Sequence, residues 1–463
     1  MRFKFNRIVG KHGFSILIIA ICAIFIISGI FYISSYKGYW WDEAVYLGLA
    51  KNIQNGQYQI NIGDESNRAP FYPLIISLFS MGDASLRALS MIFGAASILV
   101  VYLFTKKLYD RKTAVISSLL LATSNMFLFY SQKILTESLF ALIFTGALFS
   151  FYLGMEKDKK YLILTGVLTG LAFLTRYPGI ILIPIFVIYM VTKVILSKNK
   201  IKEISRLITK ELILGIIIFL LVLTPWIIMS QNIYHDPLGA LKDQFSKMPV
   251  EYAPGPWYYY IRHSFEIFGF VMIFSIPALI YVILHRKKQN LFILISILAV
   301  LLLFSFVIAR KELRYLISFS PLFYIFAAIG VTKFSKWFKK EKIVLGFVLL
   351  LCIFSLVSAI QSSYYDLDAG KAMVETGNFI KTLNDTNFVG ENYPVLNYVS
   401  GKKIYQFPPT EKGFYDYVRI LNISYYVIDV REPTTPAYVK NLNCTPTFKS
   451  NDKWNNVTVC RLF

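Results

Sequence analysis

The sequence predicts an all-α polytopic membrane bundle of about 11 transmembrane helices, followed by a small extracytoplasmic α/β domain at the C-terminus. Three observations predict it. Hydrophobic residues make up 56% of the 463 and mean hydropathy is +0.54, too apolar for a soluble chain of this length. Apolar runs near the roughly 20 residues that cross a bilayer recur as far as residue 360. Beyond that point the apolar runs shorten and alternate with amphipathic stretches.

The candidate spans are 14–34, 86–105, 113–130, 135–154, 161–175, 178–196, 212–230, 264–284, 291–309, 315–333 and 343–360. Arg2, Lys4, Arg7 and Lys11 flank the first. A cleavable signal peptide looks similar, but the run is long enough to span and no small-x-small site closes it, so it reads as a retained helix. The fifth span is short and ends at Thr175-Arg176-Tyr177-Pro178-Gly179, a turn signal that divides a long apolar stretch. Alternate threading describes a multi-pass plasma-membrane protein with a cytoplasmic N-terminus. It places a first outer loop at 35–85 and residues 361–463 outside, so 1–360 and 361–463 read as two domains. Lysine and arginine support the threading, with about 25 in the expected cytoplasmic segments and about 11 in the longer outer loops. The formal charge of +21 therefore reads as topology signals and contacts with membrane lipids, not as a nucleic-acid surface.

In the C-terminal domain, 370–384 and 413–421 read as helices, and the apolar runs 394–399, 403–406 and 425–430 supply the strand signals of a small α/β fold. Cys444 and Cys460 fit a disulfide in an outer domain, free thiols being the alternative, while Cys22 and Cys352 sit in apolar runs as small hydrophobes. The four N-x-S/T sequons, at Asn384, Asn422, Asn443 and Asn456, all fall in this domain and agree with an outside location.

Charges gather at the outer helix ends and leave the span interiors nearly bare. Tyr39-Trp40-Trp41-Asp42-Glu43-Ala44 follows the first span, and Arg68 lies later in the same loop. Lys133 and Glu137 sit at the mouth between the third and fourth spans. Arg176 lies in the turn after the fifth span, and Arg314 precedes the tenth. Each has a plainer reading. Asp42 and Glu43 can be solvated or cap the stretch 43–52, and Arg68-Ala69-Pro70 can merely open a helix. Lys133 and Arg314 can snorkel to headgroups, and Glu137 can pair with Lys133. The cluster Trp257-Tyr258-Tyr259-Tyr260 suits an interfacial belt, and the four histidines show no metal-ligand spacing.

In their order, these motifs resemble the GT-C superfamily of membrane glycosyltransferases, within it the protein mannosyltransferases and the lipid A aminoarabinose transferases. The resemblance covers about residues 14–330 and rests on Trp41-Asp42-Glu43-Ala44, the basic-plus-proline Arg68-Ala69-Pro70, Glu137, Leu174-Thr175-Arg176-Tyr177-Pro178 and Arg314-Tyr315-Leu316. Arg68-Ala69-Pro70 stands where the family carries Lys-Pro-Pro, and the mannosyltransferases' soluble luminal insert is missing. Both departures bear on the acceptor more than on the reaction. Trp40-Trp41-Asp42 is also similar to an oligosaccharyltransferase signature, but that one belongs in a C-terminal globular domain of a longer chain.

The resemblance implies a hexosyltransferase whose donor sugar, mannose by analogy, is carried on a polyprenyl or dolichyl phosphate. An acceptor hydroxyl on a protein, surface glycan or lipid attacks the anomeric carbon and the lipid phosphate leaves. A positioned carboxylate accelerates such a step by typically ~10²–10⁴-fold. The expectation is Asp42 as base, Glu43 or Glu137 orienting the acceptor, and Arg68, Lys133, Arg176 and Arg314 meeting the phosphate charge. No cofactor is expected, since enough cations make a metal unnecessary. Two rival readings are a transporter or lipid flippase, which would carry polar or Gly/Pro-broken helices at the midplane, and a non-catalytic scaffold of the same fold.

Overall fold

The computed structural model describes residues 13–61, 64–79, 82–251, 255–431 and 435–462. The basic flank Arg2, Lys4, Arg7 and Lys11 lies outside the described residues. The chain forms two compact units. One holds the chain up to Phe31 with Asn67–Tyr72 and Arg87–Ser362, and the other holds Tyr32–Ser66, Pro73–Leu86 and Ser363–Phe463.

The first unit is helical. Among the described residues, eight helices are long and apolar enough to cross a membrane: Gly13–Ser35, Asp83–Leu108, Glu137–Glu156, Tyr177–Leu196, Lys210–Tyr234, Lys288–Val307, Leu313–Trp337 and Glu341–Tyr365. A ninth is Arg111–Ala122 with Asn125–Ser131, bent by 61°. The bend has a local cause. Thr123 Oγ1 turns back to the Leu119 carbonyl at 2.9 Å, and the Ser124 hydroxyl caps the next helix by accepting from Phe127 N at 3.3 Å. The two other expected spans form shorter apolar helices, Tyr161–Thr175 and Phe270–Leu284. At about 1.5 Å per residue, 15 residues reach only ~22 Å of a ~30 Å hydrocarbon core.

The elements used below are α1 Gly13–Ser35, α2 Trp41–Ile53, α3 Phe71–Ser77, α4 Asp83–Leu108, α5 Arg111–Ala122, α6 Asn125–Ser131, α7 Glu137–Glu156, α8 Tyr161–Thr175, α9 Leu182–Leu196, α10 Lys200–Leu207 and α11 Lys210–Tyr234. Gly166 of α8 lies on the backbone of Gly215 in α11, and a Cβ there would overlap the Gly215 carbonyl, so the pair lets two apolar helices meet at their backbones. Leu313–Trp337 is the central helix, with 94% of its apolar window buried. In Lys210–Tyr234 the share is 17%, and that helix turns most of its apolar surface outward.

The second unit carries a five-stranded mixed sheet in the order β4-β3-β5-β7-β6, with β3 Asn387–Gly390, β4 Lys403–Tyr405, β5 Tyr425–Asp429, β6 Thr445–Asn451 and β7 Asn456–Arg461 (β1 Gln59–Asn61 and β2 Asp64–Glu65 make a separate pair). β4, β3 and β5 are parallel, while β7 runs antiparallel to both β5 and β6. The expected strands at 403–406 and 425–430 and the helices at 370–384 and 413–421 are present, the helices as Lys371–Thr382 and Glu411–Leu421. The run 394–399 differs. It lies in a helix, Tyr393–Ser400, because Pro394 in the first turn starts a helix readily and would break a strand ladder. α2 packs into this unit. Ala44 shares the core with Ala372, Phe388, Leu396 and Val427, and Trp41 and Tyr393 meet edge-on at 5.0 Å. Cys444 and Cys460 are bonded, with Cα atoms 5.0 Å apart.

Candidate functional site

In the second unit, Asp42 and Glu43 occupy the first turn of α2, where the helix dipole favours negative charge. Both are buried, so the solvated reading fails for the pair. The capping reading holds for Glu43, whose Oε2 accepts from the backbone N–H of Trp40 at 2.9 Å. The approach to α2 is held from several sides. The Tyr32 hydroxyl donates to Asp366 at 2.8 Å and its ring stacks on Tyr36. Tyr39 and Tyr398 both hydrogen-bond Asp83, and the two rings meet edge-on. Gly38 lies where a Cβ would run into the Ala369 carbonyl, and Gly370 beside it takes φ +76°, a conformation that favours glycine.

In the first unit, every residue from Ser131 to Ser138 is buried. This run joins α6 to α7, and its centre is not helical. Glu137, the first residue of α7, is paired with Arg176 at 2.7 Å, not with Lys133 as its spacing suggested. Lys133 lies fully buried with its ammonium 4.5 Å from the centre of the Phe129 ring. The Arg176 guanidinium also reaches Thr136 and Ser318, each at 3.3 Å. Glu137 Oε2 is buried without a hydrogen-bond partner.

Arg314 and Arg310 grip the two oxygens of Glu312, each at 2.5 Å. The Arg314 guanidinium lies 5.9 Å from the centre of the Tyr315 ring, and the Tyr315 hydroxyl donates to Glu312 at 3.3 Å. Lys311 beside them donates to the carbonyls of Phe304, Ser305 and Ile308, capping the end of the preceding helix, and burial holds its pKa below the usual lysine value. The Arg68 segment is anchored to the same turn as Arg176. The Tyr177 hydroxyl donates to the Asn67 carbonyl at 3.0 Å, the Asn67 amide donates to Asp243 at 2.8 Å, and Ala69 packs with Phe173, Leu174 and Trp226.

The first unit thus brings Glu137, Arg176 and Arg314 together around Tyr315 and Ser318, and moors the Arg68 segment to Tyr177. Asp42 and Glu43 belong to the other unit. The sequence reading missed Gln132, which is buried with neither amide atom hydrogen-bonded, and Ser318 and Asp366. Gln132 is followed at once by a second polar residue in an apolar stretch, and that doublet was the available signal. Among the described residues no group of His, Cys, Asp and Glu is placed to hold a metal ion.

The sequence matches the model of the Alg9-like mannosyltransferase family over residues 73–411. No curated protein matches it by sequence. Among solved structures, the chain is similar to ArnT from Cupriavidus metallidurans bound to undecaprenyl phosphate, with TM-score 0.72 at 13% identity over 97% of this chain and 98% of that one. It is also similar to the apo oligosaccharyltransferase of Archaeoglobus fulgidus, with TM-score 0.72 at 15% identity over 91% of this chain and 70% of that one. At these identities the likeness is one of fold.

Proposed function

The chain belongs to the Alg9-like mannosyltransferase family, and on that premise we propose that it moves a hexose, mannose first, from a polyprenyl or dolichyl phosphate to an acceptor hydroxyl at the outer face of the cell membrane. The observation that carries the reading is the half-buried Arg176, set between Glu137 and Ser318, with Arg314 on the same short helix as Ser318. A bundle held by packing has no need of charges there, and intramembrane ionisable groups mark substrate sites by default. The undecaprenyl phosphate held by ArnT, a protein of similar fold, supports the donor class.

In the reaction, the acceptor oxygen forms a bond to the anomeric carbon as the bond from that carbon to the carrier phosphate breaks. The acceptor proton passes to Asp42, while Glu43 caps α2 at the Trp40 N–H. The carrier leaves as a phosphate with an added negative charge, stabilised by Arg176, Arg314, Lys133 and Arg68 without a cofactor. Glu137 orients the acceptor through its open oxygen. The acceptor itself is a protein, a surface glycan or a lipid.

The test uses purified protein in lipid with radiolabelled polyprenyl-phosphate mannose or glucose and a membrane extract, beside Asp42→Asn. Transfer by the wild type that drops by about 10²–10⁴-fold in the variant is expected, and the labelled product names the acceptor. If every donor stays intact, the transferase reading fails and flux in proteoliposomes becomes the assay for the transporter alternative.

A further inference from the structure

Between the apolar helices α9 and α11 the chain makes a short detour, α10, whose eight residues sort onto three faces. Glu203 and Leu207, four apart, share the face turned to the protein. Leu207 is buried and Glu203 lies 3.8 Å from Lys193 of α9. Lys193 in turn pairs with Glu156, the last residue of α7, at 2.7 Å. Lys202 and Arg206, also four apart, share a second, exposed face, and Lys198, Lys200 and Lys210 stand exposed beside it. Ile201 and Ile204, three apart, share a third face. Ile201 is 79% exposed, and Ile208, just past the helix end, is 63% exposed.

Three isoleucines on one edge of a charged helix are not explained by folding against this chain, because among the described residues nothing covers them. They continue the exposed apolar ends of the two neighbouring helices, Ile195 and Leu196 of α9 and Ile213 and Leu214 of α11, which belong to the surface those spans turn to lipid. The basic residues beside them outnumber the acids. Glu203 is already engaged with Lys193 and approached by Arg206 at 3.9 Å. An apolar edge continuous with lipid-facing helices, bordered by a basic face, is complementary to an anionic bilayer surface.

We propose that α10 lies in the plane of the membrane, with Ile201, Ile204 and Ile208 among the acyl chains and Lys198, Lys200, Lys202 and Arg206 holding anionic headgroups. The element is independent of the sugar chemistry and rests only on the chain being a membrane protein. Through Lys193 it is fastened to the end of α7, so the lipid contact is rigidly tied to the bundle and is not a loose loop.

The experiment places single spin labels on the full-length protein, with Cys22 and Cys352 replaced by alanine, in nanodiscs with and without phosphatidylglycerol. Labels at Ile201→Cys and Ile204→Cys should be quenched by oxygen and shielded from a water-soluble nickel chelate, with the reverse at Lys202→Cys. These positions are exposed, so the substitutions do not threaten folding. In a second arm, Lys198, Lys200, Lys202 and Arg206 are changed to glutamine, and the enrichment of spin-labelled phosphatidylglycerol around the protein is measured. It should fall by at least about fivefold, the loss expected for one fully engaged charge. Labels at 201 and 204 that are as open to nickel as 202 overturn the proposal. So do labels closed to both reagents, which would mean that a second copy or another protein covers the face. Unchanged enrichment in the quadruple variant overturns the headgroup assignment.

Discussion

α7 begins and ends with a glutamate, and the two ends are built differently. Glu156, at the C-terminal end, accepts from Lys193 at 2.7 Å, Lys288 at 3.0 Å and the Tyr189 hydroxyl at 3.2 Å. Glu137, at the N-terminal end, holds Arg176 with one oxygen and keeps the other buried and unbonded. The helix dipole explains part of the difference. It opposes a carboxylate at the C-terminus, which then needs several cations, and favours one at the N-terminus. It does not explain the open oxygen, because a buried acceptor left without a donor costs about 1–3 kcal/mol. Such a cost is retained where something outside the chain completes the bond. Under the proposed function, Glu156 is framework and Glu137 belongs to the site.

The comparison can be broken in three ways. Arg176→Gln should have the largest effect. It leaves Glu137 as a buried charge without its counter-ion, at about 3–5 kcal/mol, and removes a cation from the phosphate. Melting temperature and single-turnover transfer should both fall, the latter by about 10²–10³-fold. A variant that melts and transfers like the wild type would mean that Arg176 is an incidental surface pair. Glu137→Gln comes next. The amide oxygen can still accept from Arg176, so stability should stay close to wild type while transfer falls by about 10²-fold. Loss of stability without loss of transfer would move Glu137 to the framework. Glu156→Gln should be smallest for activity, with transfer at saturating donor unchanged and stability lower by about 1–2 kcal/mol in denaturant titration. If it slows transfer as much as Glu137→Gln, the two ends are not different in kind.

Much of the bundle was readable because a span is a long local pattern and needs no knowledge of its neighbours. The sheet was harder to read. β3 is four residues long, and β6, Thr-Pro-Thr-Phe-Lys-Ser-Asn, is a polar edge strand with little alternation, so neither gave a signal. The plainer pairing of Glu137, with Lys133, fails for a geometric reason. Lys133 lies four residues earlier, but that spacing brings side chains together only within a helix, and the chain between them is not helical. The true partner lies 39 residues away, and only the fold brings it near. Which of Asp42 and Glu43 caps α2 was equally hidden, since it depends on which carboxylate turns back to the Trp40 N–H. The candidate residues themselves were visible, because charges are scarce in such a chain and cluster at helix ends.

One feature of the bundle bears on the solvent around it. α8 is 15 residues long and ends directly before Arg176, while its neighbour α11, pressed to it at Gly166 and Gly215, runs for 25. A short helix fastened to a long one cannot correct its length by sliding or tilting alone. The bilayer has to thin beside it or admit water at its end. That makes acyl-chain length a variable of the reaction, because a thicker membrane would bury the guanidinium that a thinner one leaves at headgroup depth.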